Sequence, residues 1–411
     1  MQRYILKLFL LIFCTFSLSI LKGQQTQQID EDEQVEKKQA SDWYEENEVD
    51  INILFNYYDQ DGDHAAVTGG IGTEELQSGA MKIIVNIPLD TVSILNIATY
   101  ANVYSSASTD NIDTNVSSAS KEDLRVQVDL GYTKKIGNRQ SYTLKASGST
   151  ESDYVSKSIG GSWSMDSKDG NKQLELNAQA FFDNWVPIFP EELRGTAITL
   201  IPTTKRKSYN LGLNFSQVIN KKLQVLLAAE IVYQKGLLST PFHRVYFESE
   251  PLPRIEKLPS TKLKFPFGFR VNYFLNNYII LRSYYRYYVD NFGVKAHTAS
   301  IEVPIKFSSF FSVYPFYRGH VQTASDYFLS HKKHVLSENF YTSDYDLSAF
   351  VSYKIGLGIR YKPVWGIGRF RVLSKKKITL FKGIDLRIAK YSRSDGLDAY
   401  MISTNFAFTM E

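Results

Sequence analysis

The chain has 411 residues, a formal net charge of +4 at neutral pH and an aromatic content of 14%. Tyr (27 residues) and Phe (26) far outnumber Trp (4), which is typical of proteins that place amphipathic rings at a water–lipid boundary. Three basic residues lie in the N-terminal segment described next. The rest of the chain is therefore close to neutral, and no nucleic-acid partner is expected.

Residues 1–23 have the pattern of a secretory signal peptide. Basic Arg3 and Lys7 precede a mostly apolar run that is too short for a comfortable transmembrane helix. We expect cleavage near Gly23; the alternative is an uncleaved membrane anchor. The single cysteine, Cys14, lies within this run, so the mature chain has no thiol. This excludes disulfides, thiolate nucleophiles and cysteine-based metal sites.

Residues 24–50 are rich in Gln, Glu, Asp and Lys, so a flexible acidic and polar periplasmic segment is predicted. Over residues 51–411 the dominant hydrophobic period is two, as in segments 122–134 and 347–361, because successive side chains of a strand point to opposite faces. Strands of a soluble sandwich run ~5–6 residues, whereas these patterns persist for roughly 10–14, which suits a tilted membrane crossing. The fold class predicted for 51–411 is all-β: one antiparallel transmembrane β-barrel of about 16 strands, or about 14 as the alternative.

The connections between the predicted strands alternate in length. Short turns such as Gly137-Asn138 and Asn276-Asn277 favour tight hairpins. Short turns at one end and long loops at the other are typical of outer-membrane barrels. Segment 362–378, with its lysine run 375–377, is long at the short-turn end and does not follow this rule. The predicted long loops are 59–79, 105–121, 186–205, 237–262 and 324–346.

Segment 59–75 contains three acidic residues at alternate positions, Asp59, Asp61 and Asp63, which can converge on a hard cation such as calcium. A complete EF-hand is excluded, because His64 stands where that loop requires Gly and Gly70 where it requires Glu. Two interpretations remain. One is a looser calcium site at these Asp residues, and the other is a tight Gly-rich loop whose Asp side chains cap backbone amides.

The same segment reads Asp-Gln-Asp-Gly-x-His, followed by Val-Thr-Gly-Gly-Ile-Gly-Thr-Glu, over 59–74. It resembles a Bacteroidetes family of exported β-rich proteins that is classed as a domain of unknown function. The resemblance implies an outer-membrane β-barrel and no established substrate or activity. Members of that family are often encoded beside small periplasmic redox and flavin-attachment proteins, which hints at periplasmic partner proteins.

The predicted lumen of the C-terminal half is predominantly basic if the apolar strand faces point to lipid. Only Asp290, Glu302 and Asp385 oppose the basic side chains there. Such a wall biases passage toward anions, because rings of charged side chains set pore selectivity. The alternative is a ladder of cross-strand ion pairs that fills a closed barrel. The predicted selectivity residues are Arg270, Arg282, Arg286, Lys306, Lys354, Arg360 and Arg387.

These patterns favour an outer-membrane channel or passive transporter with a partly basic lumen. The first alternative is a non-conducting scaffold barrel that binds periplasmic or envelope partners in assembly, secretion or redox chemistry. The second is a barrel-embedded lipid hydrolase, which is weakened by the absence of a Gly-x-Ser-x-Gly elbow and by the position of His297 on an apolar face. No catalytic residue is predicted, and the chain is not expected to be an enzyme. Expected partners are outer-membrane lipid and, during biogenesis, the barrel-assembly machinery, which reads aromatic C-terminal strands such as 398–409.

Overall fold

The structure is a computed structural model that describes residues 48–105, 122–186, 204–371 and 378–410. The predicted signal peptide, nearly all of the predicted segment 24–50, most of the predicted loops 105–121 and 186–205, and the lysine run 375–377 lie outside these residues. Within the described ranges, no helix combines the length and the apolar character that a membrane crossing requires.

Sixteen strands form one closed antiparallel β-barrel. Each barrel strand pairs with its neighbours in the chain, and the first and last strands also pair with each other, from Val49 opposite Met410 to Asp61 opposite Asp398. Short additional strands extend this sheet or form a separate hairpin. The strands are β1 (Val49–Asp61), β2 (Leu76–Pro88), β3 (Ser93–Ser105), β4 (Glu122–Ile136), β5 (Gln140–Thr150), β6 (Tyr154–Asp166), β7 (Lys172–Trp185), β8 (Lys205–Asn220), β9 (Leu223–Gly236), β10 (Arg244–Val245), β11 (Arg254–Ile255), β12 (Thr261–Phe274), β13 (Ile280–Asp290), β14 (Lys295–Glu302), β15 (Ile305–Lys306), β16 (Phe311–Gln322), β17 (Phe350–Tyr361), β18 (Gly368–Phe370), β19 (Thr379–Arg393) and β20 (Asp398–Met410).

The predicted fold class and the strand count of about 16 are confirmed. β14 and β15 are two parts of one barrel strand, since both pair with β16 and Pro304 between them has no N–H to donate to a ladder. In segment 362–378, β18 pairs with the first residues of β19. Part of the unexpectedly long connection therefore extends the sheet.

Alternation of side chains separates an apolar outer face from a polar inner face. In β4, Leu124 and Val128 are exposed on the outside. Arg125, Gln127 and Asp129 alternate with these residues, point into the lumen and bond to one another: Arg125 Nη2 donates to Gln127 Oε1 (3.2 Å), and Gln127 Nε2 donates to Asp129 Oδ1 (2.7 Å). These three side chains on the inner face thus find partners among themselves, as groups shielded from bulk water typically do.

The outer face carries aliphatic side chains between two rings of aromatic ones. Leu144 (67% exposed) and Ile159 (64%) lie near the middle of their strands. An apolar band between aromatic girdles is the surface that a transmembrane barrel presents to lipid. Exposed aromatic residues near the short-turn end are Tyr132, Tyr142, Tyr278, Phe307, Phe310 and Tyr361, and those near the long-loop end are Tyr57, Tyr209, Tyr233, Tyr353 and Tyr400.

Three long connections interlock at the long-loop end, and together they are called the cap: residues 62–75, 237–260 and 323–349. Val245, Phe247 and Tyr341 form a buried apolar core within the cap. Because these residues come from two different connections, burial of their side chains stabilises the contact between them.

Polar contacts join all three connections of the cap. Arg244 Nη1 donates to Val67 O (2.6 Å), which links 237–260 to 62–75. His331 Nδ1 lies 3.2 Å from Gly69 O, which links 323–349 to 62–75. The cap is therefore one folded unit rather than three independent loops.

The motif segment 59–74 packs into the cap through a glycine turn. Gly70 has φ of 81°, which glycine adopts without strain. A Cβ at Gly70 would lie 2.7 Å from Ser343 O, so the missing side chain permits the close approach of 62–75 to 323–349. The ring of His64 stacks on Tyr345 at 3.7 Å between centroids. The segment is thus a tight Gly-rich loop, as the second sequence interpretation describes, whereas capping of backbone amides by its Asp side chains stays a prediction.

Candidate functional site

A chain of ion pairs crosses the inner wall of the C-terminal half. Glu302 pairs with Arg282 (2.9 Å) and with Arg387 (3.2 Å). Asp385 pairs with Arg360 (2.7 Å) and lies 3.8 Å from Arg387 Nε. Two carboxylates thus form ion pairs with three of the predicted selectivity residues, which is the arrangement that the ladder interpretation describes.

Closer to the cap, three basic side chains on the same wall form no ion pair with a described residue, and together they are called the basic patch: Arg286, Arg318 and Lys354. Arg318 and Lys354 lie directly opposite each other on β16 and β17. Arg286 lies across β14 from Arg318, displaced along the strand by one inward-facing position. Arg318 and Lys354 therefore carry like charges opposite each other on neighbouring strands, and such charges repel.

Two further predicted selectivity residues lie away from this patch. The guanidinium of Arg270 lies over the ring of Tyr284, 5.6 Å from its centroid, where the two groups attract. Lys306 is exposed on β15, opposite Ser312. The structure therefore places Lys354 opposite Arg318, places Arg286 on the same wall with β14 and β16 between it and Lys354, and distributes the other predicted residues along the wall.

Two of the cavities that adjoin the cap lie between it and the barrel wall. The larger, of about 800 Å³, lies between the cap and the wall of the N-terminal half. The smaller, of about 400 Å³, lies between the cap and the wall that carries Arg318 and Lys354. Glu74 and Asp346 of the cap line both cavities. Acidic residues predominate in the larger cavity, whose charged lining residues are Glu74, Asp123, Arg125, Glu151, Asp153, Asp183, Arg206, His243, Lys264, Asp344 and Asp346.

Two carboxyl groups of the cap, Glu74 and Asp344, have pKa values above their usual range. Burial and the neighbouring carboxylate of Asp346 raise the pKa of Glu74 to about 7, although Arg393 opposes this shift. Burial also raises the pKa of Asp344 to about 6, while His243 acts in the opposite direction. The charge of the cap therefore changes close to neutral pH.

Three potential metal ligands from two cap connections meet at the larger cavity: His243, Glu256 and Asp344. His243 and Glu256 flank the β10–β11 hairpin, in which Glu256 N donates to His243 O (3.0 Å). His243 Nδ1 lies 3.7 Å from both Glu256 Oε1 and Asp344 Oδ2. Burial lowers the pKa of His243, but Glu256 and Asp344 outweigh burial and raise it above its ordinary value.

A second acidic group lies on the opposite side of the larger cavity, at Asp123, Glu151 and Asp153. Tyr104 Oη donates to Glu151 (3.0 Å), and Trp185 Nε1 donates to Asp153 (2.9 Å). Since neighbouring protein donors already bind these carboxylates, the group is stabilised by the barrel wall itself.

The Asp residues of the predicted calcium site lie where β1 enters the cap. Asp59 and Asp61 are on β1, and Asp63 follows in the connection. In the part of the chain that the structure describes, sets of three donors within 4.8 Å of one another occur at the two groups above and not at these residues. Calcium binding at Asp59, Asp61 and Asp63 stays a prediction.

Residues 12–367 match the family described as "Protein of unknown function (DUF3570)". The chain belongs to this family. The predicted membership in a family of unknown function is thus confirmed, whereas the Bacteroidetes origin and the motif remain predictions. No curated protein matches this DUF3570 chain.

Solved structures of outer-membrane proteins resemble the DUF3570 chain at low identity. The siderophore receptor PirA from Acinetobacter baumannii is 12% identical with a TM-score of 0.42, over 84% of this chain and 53% of the receptor, so the chain spans about half the length of that receptor. A bacterial polysaccharide outer membrane secretin is 11% identical (TM-score 0.44; 89% of this chain, 99% of the secretin). OccAB3 from Acinetobacter baumannii is 9% identical, with a TM-score of 0.41 over 88% of this chain and 99% of OccAB3. Likeness at this level says nothing about function.

Sequence reasoning did not find the three-donor group of this DUF3570 protein. His243 and Glu256 lie in one long connection and Asp344 lies in another, so no short ligand spacing links them. The only sequence feature that pointed to this group was the length of the two connections, which is enough for each of them to fold. Arg318 of the basic patch was also missed.

Proposed function

We propose that this DUF3570 protein is an outer-membrane channel or passive transporter whose partly basic lumen favours small anions. The apolar band between two rings of exposed Tyr and Phe supports a position in a lipid bilayer. Long connections at one end and short turns at the other support the outer membrane, with the cap on the extracellular side.

The observation that carries this proposal is the basic patch beneath the cap. Arg318 and Lys354 line the smaller cavity and face each other across β16 and β17. An anion between them relieves their mutual repulsion and exchanges its water for charged donors, which is how side-chain charges select ions in pores. The neighbouring Arg282, Arg360 and Arg387 already form ion pairs with Glu302 and Asp385. These pairs stabilise the wall.

Conductance of the folded barrel in planar lipid bilayers tests the proposal. We expect chloride to be preferred over potassium, and the permeability ratio to fall about threefold in Arg318→Ala/Lys354→Ala. The matched control is Arg282→Ala/Arg360→Ala, which removes the same charge from positions whose partners Glu302 and Asp385 keep Arg387 nearby. The control is expected to change the ratio by much less.

Two results would contradict this proposal, the first its basic patch and the second the channel itself. One is equal permeability ratios in the two double variants, which would assign selectivity to net charge alone. The other is no conductance from protein whose barrel is verified by heat-modifiable migration. That second result would favour a non-conducting scaffold for periplasmic or envelope partners, a candidate that the ion-paired wall and the folded cap also support.

A further inference from the structure

The cap holds one imidazole and two carboxylates around a single point beside the larger cavity. His243 Nδ1 is buried and has no hydrogen-bond partner among the described residues. Its separation of 3.7 Å from Glu256 Oε1 and from Asp344 Oδ2 is too long for hydrogen bonds. It is close to the ~3.3 Å that separates two donors bound at ~2.0–2.1 Å to one tetrahedral ion.

Hydrogen bonds orient both carboxylates toward this point. The Thr342 hydroxyl donates to Glu256 Oε1 (2.5 Å), and Thr342 Oγ1 accepts from Asp344 N (3.0 Å). Asp344 Oδ1 accepts from Asp346 N (2.9 Å), which leaves Oδ2 directed toward His243. Outer hydrogen bonds of this kind typically hold metal-binding carboxylates in position. Glu256 is 4% exposed, and buried carboxylates are typically paired with a cation or bound to a metal ion.

We propose that His243, Glu256 and Asp344 bind a divalent transition-metal ion of the zinc type, which fastens connection 237–260 to connection 323–349. An imidazole ligand favours zinc and its first-row neighbours, whereas calcium and magnesium prefer oxygen ligands alone. His243 and Asp344 also line the larger cavity. The remaining coordination position therefore opens to that cavity and accepts water or a small ligand.

Zinc binding by the full-length barrel, purified in detergent and stripped with a chelator, tests this site. Titration against a chromophoric competing chelator is expected to give one zinc ion per chain. His243→Ala is expected to weaken zinc binding at least about tenfold. His331→Ala is the matched control, because it removes another cap histidine that contacts Gly69 O and not the donor group; it is expected to retain wild-type affinity.

Asp344→Asn distinguishes loss of a ligand from loss of the fold, because it preserves the size of the side chain. We expect zinc to slow protease cleavage within the cap of the wild type several-fold and to leave cleavage of Asp344→Asn unchanged, with both barrels heat-modifiable. The site is overturned if the folded wild type binds no zinc, or if His243→Ala binds it as tightly as His331→Ala does. Conductance enters neither measurement, so failure of this site is distinguishable from failure of the proposed channel.

Discussion

Among single residues, Glu74 is expected to give the channel a pH dependence. Its pKa of about 7 results from burial and from Asp346, against the effect of Arg393, so the carboxyl gains its negative charge as pH rises through neutrality. Because Glu74 lines both cavities, that charge opposes anions at the basic patch. We expect the chloride preference, measured from reversal potentials with a chelator present, to fall about twofold between about pH 5.5 and about pH 8.5.

Glu74→Gln is expected to remove most of this pH dependence. Glu75→Gln is the control, because its side chain is exposed beside Glu74 and does not line either cavity. A pH dependence that persists in Glu74→Gln would assign it to another group.

The raised pKa of Glu74 also makes the stability of the cap depend on pH. Because the pKa is raised from 4.5 to about 7 in the folded protein, the contribution of this group to the stability of the cap is full below 4.5 and is lost as pH rises through about 7.

The lumen residues show how far sequence reasoning reached at single positions. Arg286 and Lys354 were predicted to face inward, and the register places them on the inner face, Arg286 opposite Thr298 and Lys354 opposite Arg318. Arg318 was missed because β16 carries aromatic residues on both faces. Inward-facing Tyr314 and Phe316 lie under the guanidinium of Arg387, 4.7 Å and 5.8 Å from it, so hydrophobicity alone does not distinguish the faces of this strand.

At the scale of elements, the contact between connections 62–75 and 323–349 depends on Gly70. A Cβ there would approach Ser343 O to 2.7 Å, and φ of +81° is strained for any other residue. We expect Gly70→Ala to destabilise the cap by ~1–3 kcal/mol and to speed protease cleavage of the cap about tenfold, as followed by mass spectrometry. Gly79→Ala is the control, because a Cβ at Gly79 meets nothing within 4 Å. Equal cleavage rates in the two variants would contradict this role of Gly70.

Long strands were predictable and short elements were not. Each barrel strand repeats its alternation over many residues, so the pattern identifies it locally. β10, β11 and β18 span only two or three residues each, which is too short for any period to be recognised. They form because partner segments lie beside them, as β19 does beside β18.

At the scale of the whole molecule, the apolar band makes stability depend on which face a charge enters. Leu144 lies outward at mid-strand and is 67% exposed. Leu144→Arg is expected to lower the free energy of unfolding in lipid vesicles by ~2–4 kcal/mol, because the charge enters the bilayer midplane. Thr143→Arg places the same charge on the inner face one residue away and is expected to cost less than half as much in urea titrations. Similar losses for both variants would argue against a lipid-facing band.

The sequence by itself determined the barrel, its approximate strand number and the two faces of its wall, because each follows from residues that are neighbours in the chain. Only the tertiary structure decided which lumen arginines are paired and which form the basic patch, since that depends on cross-strand register. It also decided that His243, Glu256 and Asp344 meet. The path of a long connection is set by contacts between residues far apart in sequence, and such contacts leave no periodic pattern to read.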